Sequence, residues 1–120
     1  MLNEVTTTRQ ISGEPHRRWF ADSHMDLIVW DKDGERIGFQ LCYRSCGTEH
    51  ALTWMREGGF AHNGVDDGES GSFAYKMTPV LVPDGLFDRN RVLSAFQENV
   101  AEIDHAVAEW VIQILKTYPV

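Results

Sequence analysis

The chain has little of what would tie it to a membrane, a nucleic acid or an oxidising compartment. Its two cysteines, Cys42 and Cys46, are separated by three residues and have no second pair, so neither a disulfide framework nor a zinc ribbon is available. No apolar run approaches the roughly 20 residues that cross a bilayer. Met1-Leu2-Asn3-Glu4 lacks the basic segment and apolar stretch of a secretory signal. Basic charge is also scarce. The 11 Lys and Arg against 18 Asp and Glu leave a net charge of −7, and Arg17-Arg18 is only a pair, which argues against nucleic acid and anionic membranes as partners. These absences together predict a cytoplasmic protein with reduced thiols.

What is present is the make-up of one globular domain. With 120 residues, 42% of them apolar and 24% charged, the chain is long enough to bury about two-thirds of its unfolded surface without staples. No repeat, low-complexity stretch or linker divides it.

The organising stretch is a β-hairpin from Met25 to Tyr43 around Asp31-Lys32-Asp33-Gly34. A three-residue loop, Lys32-Asp33-Gly34, is the expected turn, with Gly34 at positive φ. It opposes Val29 to Ile37, Leu27 to Phe39 and Met25 to Leu41, giving one wholly apolar face. The other face then pairs Trp30 with Arg36, Ile28 with Gly38 and Asp26 with Gln40. A glycine opposite a large aliphatic residue predicts close packing there.

Other segments extend the sheet. His16 to Ala21 reads as a strand after Pro15, and residues 1–13 as an edge strand or a frayed end. Glu49 to Met55 alternates so that Leu41 meets Leu52, Phe39 meets Trp54 and Tyr43 meets His50, with Cys42 opposite Ala51 and Gln40 opposite Thr53. The run from Arg56 to Gly71 is glycine-rich and acidic and reads as a long loop, with a short strand over Phe60 to Val65 as an option. Strand character returns over residues 73–82, where Pro79 marks an edge or bulge.

The last third changes period. Asp88 is a good N-cap, with Phe87 and Val92 at hydrophobic-staple spacing. Val92, Phe96, Val100, Ile103, Val107, Trp110 and Ile114 then form one stripe. A single helix over 89–116 would be about 42 Å long, against a domain about 35 Å across. A break is therefore expected, with Asp104 as a second N-cap.

Three constellations carry possible chemistry. The first is the acidic stretch from His62 to Glu69, in which His62, Asp66, Asp67 and Glu69 are residue types that hold Mg, Ca or Mn. Their spacing fits no defined motif, and a solvated acidic turn is the favoured alternative. The second is a Cys–His pair, but the register sends His50 to the core-facing side with Tyr43, away from Cys42. The third is a binding surface of Arg18, Trp19, Trp30, Arg36, Gln40 and Tyr75, residues suited to hot spots. Packing of a sheet face, with Trp30 over Arg36 as a cation–π pair, is the alternative there. No nucleophile elbow, phosphate loop or dinucleotide fingerprint occurs, and no motif specifies a cofactor.

Arg17-Arg18-Trp19-Phe20, Asp26-Leu27-Ile28-Val29-Trp30, Gly38-Phe39-Gln40-Leu41-Cys42-Tyr43, His50-Ala51-Leu52-Thr53-Trp54, Val65-Asp66-Asp67-Gly68-Glu69 and Lys76-Met77-Thr78-Pro79 resemble, in that order, a family of small uncharacterised bacterial proteins. The resemblance runs from about residue 16 to the end. It implies a small bacterial cytosolic protein and carries over no catalytic residue.

The expected fold is α+β: an antiparallel meander of about five or six strands with one or two C-terminal helices on one face. The expected core is Leu27, Val29, Ile37, Phe39, Leu41, Leu52, Trp54, Phe96, Val107, Trp110 and Ile114. The expected function is a non-enzymatic binding or interaction module, taking a protein or small molecule and forming a homodimer if the Trp30 face is the contact. The alternative is a metal-assisted enzyme using the His62 to Glu69 stretch.

Overall fold

The computed structural model describes residues 1–6, 10, 12–45, 48–66, 80–83 and 87–118. Among the described residues, seven strands follow one another in a single antiparallel meander: β1 (Asn3–Val5), β2 (His16–Ala21), β3 (Met25–Lys32), β4 (Glu35–Ser45), β5 (Thr48–Met55), β6 (Gly59–Asp66) and β7 (Val80–Pro83). Two helices, α1 (Arg89–Gln97) and α2 (His105–Leu115), complete the α+β fold. The short outer strands β1 and β7 bring the sheet to seven. Residues 67–79 lie outside the described residues, and with them Tyr75, Asp67 and Glu69.

The β3–β4 hairpin corrects the expected register by two residues. Lys32 pairs with Glu35 around a two-residue turn, in which Asp33 and Gly34 have φ of 54° and 82°. Those are the positive values a type I′ turn requires, and an Asp-Gly pair supplies them. A two-residue turn alone would oppose Val29 to Gly38. A bulge intervenes instead: Asp31 pairs with Arg36 and Trp30 with Gly38, leaving Ile37 as the extra residue. Val29 therefore meets Phe39, Leu27 meets Leu41 and Met25 meets Tyr43. Beyond the bulge each face keeps its residues because the shift is even and only the partners change, whereas Arg36, on the turn side of the bulge, moves to the helix-facing side.

The β4–β5 pairing follows alternation: Phe39–Trp54, Leu41–Leu52, Tyr43–His50, Cys42–Ala51 and Gln40–Thr53. Part of the glycine-rich run is regular too, because β6 pairs with β5 over its first six residues, from Gly59–Met55 to Gly64–His50. His62 is thus a strand residue rather than a loop residue.

The core lies between one sheet face and the helices. Phe20, Leu27, Val29, Phe39, Leu41, Leu52, Phe96, Val107, Val111 and Leu115 are fully buried in one cluster, with Trp54, Trp110 and Ile114 packed against it. Ile37, expected in the core, is only half-buried because the bulge displaces it. Trp110 meets Phe39 and Trp54 edge-on at 5.7 and 5.8 Å between ring centroids, the arrangement that suits ring quadrupoles.

The helical stripe is broken where length demanded. The longest extent of the molecule is 38 Å, and residues 98–104 turn the chain between α1 and α2. The Asp88 side chain accepts from the Arg91 backbone N–H at 3.2 Å, and Asp104 does the same for Ala106 at 2.9 Å. Both carboxylates satisfy donors that a helix start leaves unpaired. Phe87 and Val92 are buried together, as a staple requires.

Candidate functional site

At one end of the helix-facing side the sheet and α1 do not close. A cleft of about 350 Å³ remains there, lined by His24, Met25, Tyr43, Arg44, His50 and His62 from the sheet side and by Asp88, Arg91, Val92, Ala95 and Asn99 from the helix side. The volume is at the lower end of the range for small-molecule sites.

Strand pairing builds the sheet wall. Met25, Tyr43, His50 and Gly64 are cross-strand neighbours in one row, in which Gly64 contributes no side chain. His62 sits one pair along β6, opposite Leu52. Alternation sends Tyr43, His50 and His62 to the same face, where their rings lie nearly parallel. Centroids are 5.4 Å apart for Tyr43–His50, 6.0 Å for Tyr43–His62 and 5.8 Å for His50–His62, with interplanar angles of 24°, 10° and 15°. Tyr43 Oη and His62 Nε2 share a hydrogen bond of 2.5 Å. Phe87 packs against these rings, its centroid 5.2 Å from that of His62 and 4.8 Å from that of Tyr118.

The turn before β3 places His24. Asp22 Oδ1 accepts from the His24 and Met25 backbone N–H groups at 2.6 and 2.7 Å. Burial opposes ionisation of Asp22, yet these bonds and the N-terminal ammonium at 3.4 Å hold its carboxyl below the usual range. Just past α1, Asn99 Nδ2 donates to the Ala95 carbonyl at 2.7 Å, and the Asn99 carbonyl accepts from Leu2 N–H at 2.9 Å. The helix end is thereby tied to the N-terminal edge of the sheet.

The expected aromatic and arginine surface is divided between two faces. Trp19, Trp30 and Gln40 lie on the side away from the helices. There Trp19 Nε1 donates to Asp26 at 3.3 Å, and Gln40 Nε2 donates to Thr53 at 3.0 Å. Arg18 is opposite Val29 and so faces the helices. It bonds Glu4 at 2.8 and 2.9 Å and Asp104 at 3.3 Å, clamping β1, β2 and the start of α2. Arg36 stands over Trp110, 5.8 Å from its ring centroid, rather than over Trp30, because the bulge at Ile37 re-aims it. Arg18 and Arg36 come together in a second, open groove of about 390 Å³ with His16, Asp31 and Asp33. Tyr75 falls outside the described residues.

Gly38 is packed closely, as expected, but its neighbours are Trp30 and Met55. A Cβ there would stand 2.4 Å from Met55 Sδ and 2.6 Å from the Trp54 carbonyl oxygen. Cys42 lies on the same outer face, half-buried. Burial, with Glu49 and Asp26 nearby, pushes its thiol up to about 12, so it is an inert sulfur rather than a nucleophile.

Of the expected acidic set, Asp67 and Glu69 lie outside the described residues, and His62 and Asp66 stand four residues apart on β6. Among the described residues no group of three His, Cys, Asp or Glu is placed to hold a metal. The cleft residues Tyr43, His50, Arg91 and Asn99 were not singled out from sequence as a site. The Tyr43–His50 pairing was readable from alternation, whereas the arrival of His62 and α1 depends on longer-range docking.

Fold and cleft define an α+β protein with an open meander, two helices on one face and a helix-walled slot of parallel rings. No protein-family model, curated protein or solved structure matches the chain. No helix among the described residues is long and apolar enough to cross a membrane.

Proposed function

We propose that the chain is a small cytoplasmic, non-enzymatic binding module that holds a small molecule in the cleft between β4–β6 and α1. The observation that carries this reading is the stack of Tyr43, His50 and His62. Three parallel rings on adjacent strands line a concavity whose opposite wall is a helix. Ring faces supply contact area at low entropic cost, and Arg91 supplies orientation. Filling the slot tests it. Ala95→Trp on the α1 wall should leave the circular dichroism spectrum unchanged and abolish fragment binding detected by ligand-observed NMR. Unchanged binding in a folded Ala95→Trp protein contradicts the assignment.

A second reading rests on the outer face. Trp19 is 39% exposed there, beside half-buried Ile28 and Trp30, and an exposed tryptophan on a sheet face is a natural protein contact. On this reading the face joins two copies of the chain. Sedimentation velocity showing a monomer at all concentrations removes it.

A further inference from the structure

We infer that the ligand of the cleft is a planar organic molecule carrying one anionic group, with its ring against the Tyr43–His50–His62 stack and its anion towards Arg91. This rests on the binding reading above and narrows it to a chemical class.

Charge supports the choice. The whole chain carries a net charge of −7, but the cleft lining holds Arg44 and Arg91 against the single carboxylate of Asp88. That carboxylate is already engaged in capping α1 through the Arg91 N–H. The ion pairs among the described residues are Met1–Asp22, Arg18–Glu4, Arg18–Asp104 and Arg56–Glu35, and none of them takes up Arg44 or Arg91. Arg44 has Glu49 opposite it in the strand register, which partly offsets its charge. Arg91 is exposed, one turn from Asp88, and is the cation best placed to meet a ligand. A guanidinium binds carboxylate or phosphate oxygens through two parallel N–H groups.

Shape supports the rest. Met25, Val92 and Ala95 give the cleft an apolar floor and helix wall, and the stacked rings give it a flat side. A flat ligand gains offset stacking on such rings, whereas a saturated ring of equal size gains only area. A cationic ligand would meet two arginines and one occupied carboxylate. A metal ion would need ring nitrogens converging on one point, which parallel stacking at 5.4–6.0 Å does not provide.

Calorimetric titration of the full chain with benzoate, phenyl phosphate, benzamide, cyclohexanecarboxylate and benzylamine tests the inference. Benzoate or phenyl phosphate should bind with Kd on the order of 1 mM at low salt, and whichever is tighter assigns the anion. Benzamide and cyclohexanecarboxylate should each bind several-fold more weakly, benzylamine should not bind, and added salt should weaken the anions. Arg91→Gln should remove most of the preference for benzoate over benzamide, and Arg91→Lys should keep part of it. Benzamide equal to benzoate, or Arg91→Gln without effect, overturns the anion assignment while leaving the cleft a binding site. No heat from any probe, with no NMR shift at cleft residues, overturns both.

Discussion

Two aromatic clusters sit on the same face of the same strands and have different fates. At the bulge end, Phe39 and Trp54 are cross-strand partners sealed by Trp110 of α2. At the other end, Tyr43 and His50 are partners in the identical register, but α1 stands off and leaves a cleft. The difference is chemical before it is geometric. Phenyl and indole rings bury mostly apolar area, whereas phenol and imidazole carry more polar atoms for the area they bury. One end therefore closes and holds the fold. The other leaves a cleft between the rings and α1.

Truncation should separate the two ends most sharply. Phe39→Ala removes a fully buried ring and should cost about 3–5 kcal/mol in denaturant unfolding. His62→Ala gives up the bond to Tyr43 and should cost about 1 kcal/mol while weakening ligand binding. Equal losses at the two positions would erase the distinction between a structural and a functional end. Next in size is Gly38→Ala, which tests the bulge end from the outer face. The new methyl would meet the Trp54 carbonyl, a backbone atom that cannot swing aside, and should cost about 1–3 kcal/mol. A neutral effect would show that the strands pair less closely there.

The smallest expected effects are pH-dependent and of opposite sign. Burial raises the Asp26 carboxyl pKa, despite the Trp19 bond. The folded state then holds the proton more tightly than the unfolded one, so ionised Asp26 costs stability above its folded pKa, and the cost disappears below the unfolded value. Asp26→Asn should accordingly stabilise at pH 7 and have no effect near pH 3. Glu4 is the reverse case, held below its usual value by the hydrogen bond from Arg18. Its contribution is present above the unfolded value and lost as pH falls through the folded one. It is partly exposed, so Glu4→Gln should cost at most about 0.5 kcal/mol at neutral pH. Melting curves at several pH values check both signs.

How much was legible depended on how local the cause was. The β4–β5 pairing follows from alternation alone, and both helix starts follow from a carboxylate one residue before the first turn. The hairpin register did not, because Asp33-Gly34 forms the tight turn and Ile37 compensates for it. A bulge is a trade between turn chemistry and face matching that neither signal reveals separately. Arg18 was grouped with Trp19 although alternation puts neighbours on opposite faces, and Arg36 was grouped with Trp30 because the bulge was not foreseen. His62 was singled out for its carboxylate neighbours in sequence, while its partner in space is Tyr43, 19 positions earlier. The α1 wall, with Arg91 and Asn99, depends on how a helix docks on a sheet. That position is set by the whole core and leaves no local trace.

The most direct test of the division between the two ends is a map of amide chemical-shift changes on titrating the full chain with a small aromatic acid such as benzoate. Shifts concentrated at Tyr43, His50, His62, Arg91 and Ala95, with Phe39, Trp54 and Trp110 unmoved, are the predicted result. Shifts centred on the Phe39–Trp54–Trp110 cluster or on the Trp19 and Trp30 face would contradict it.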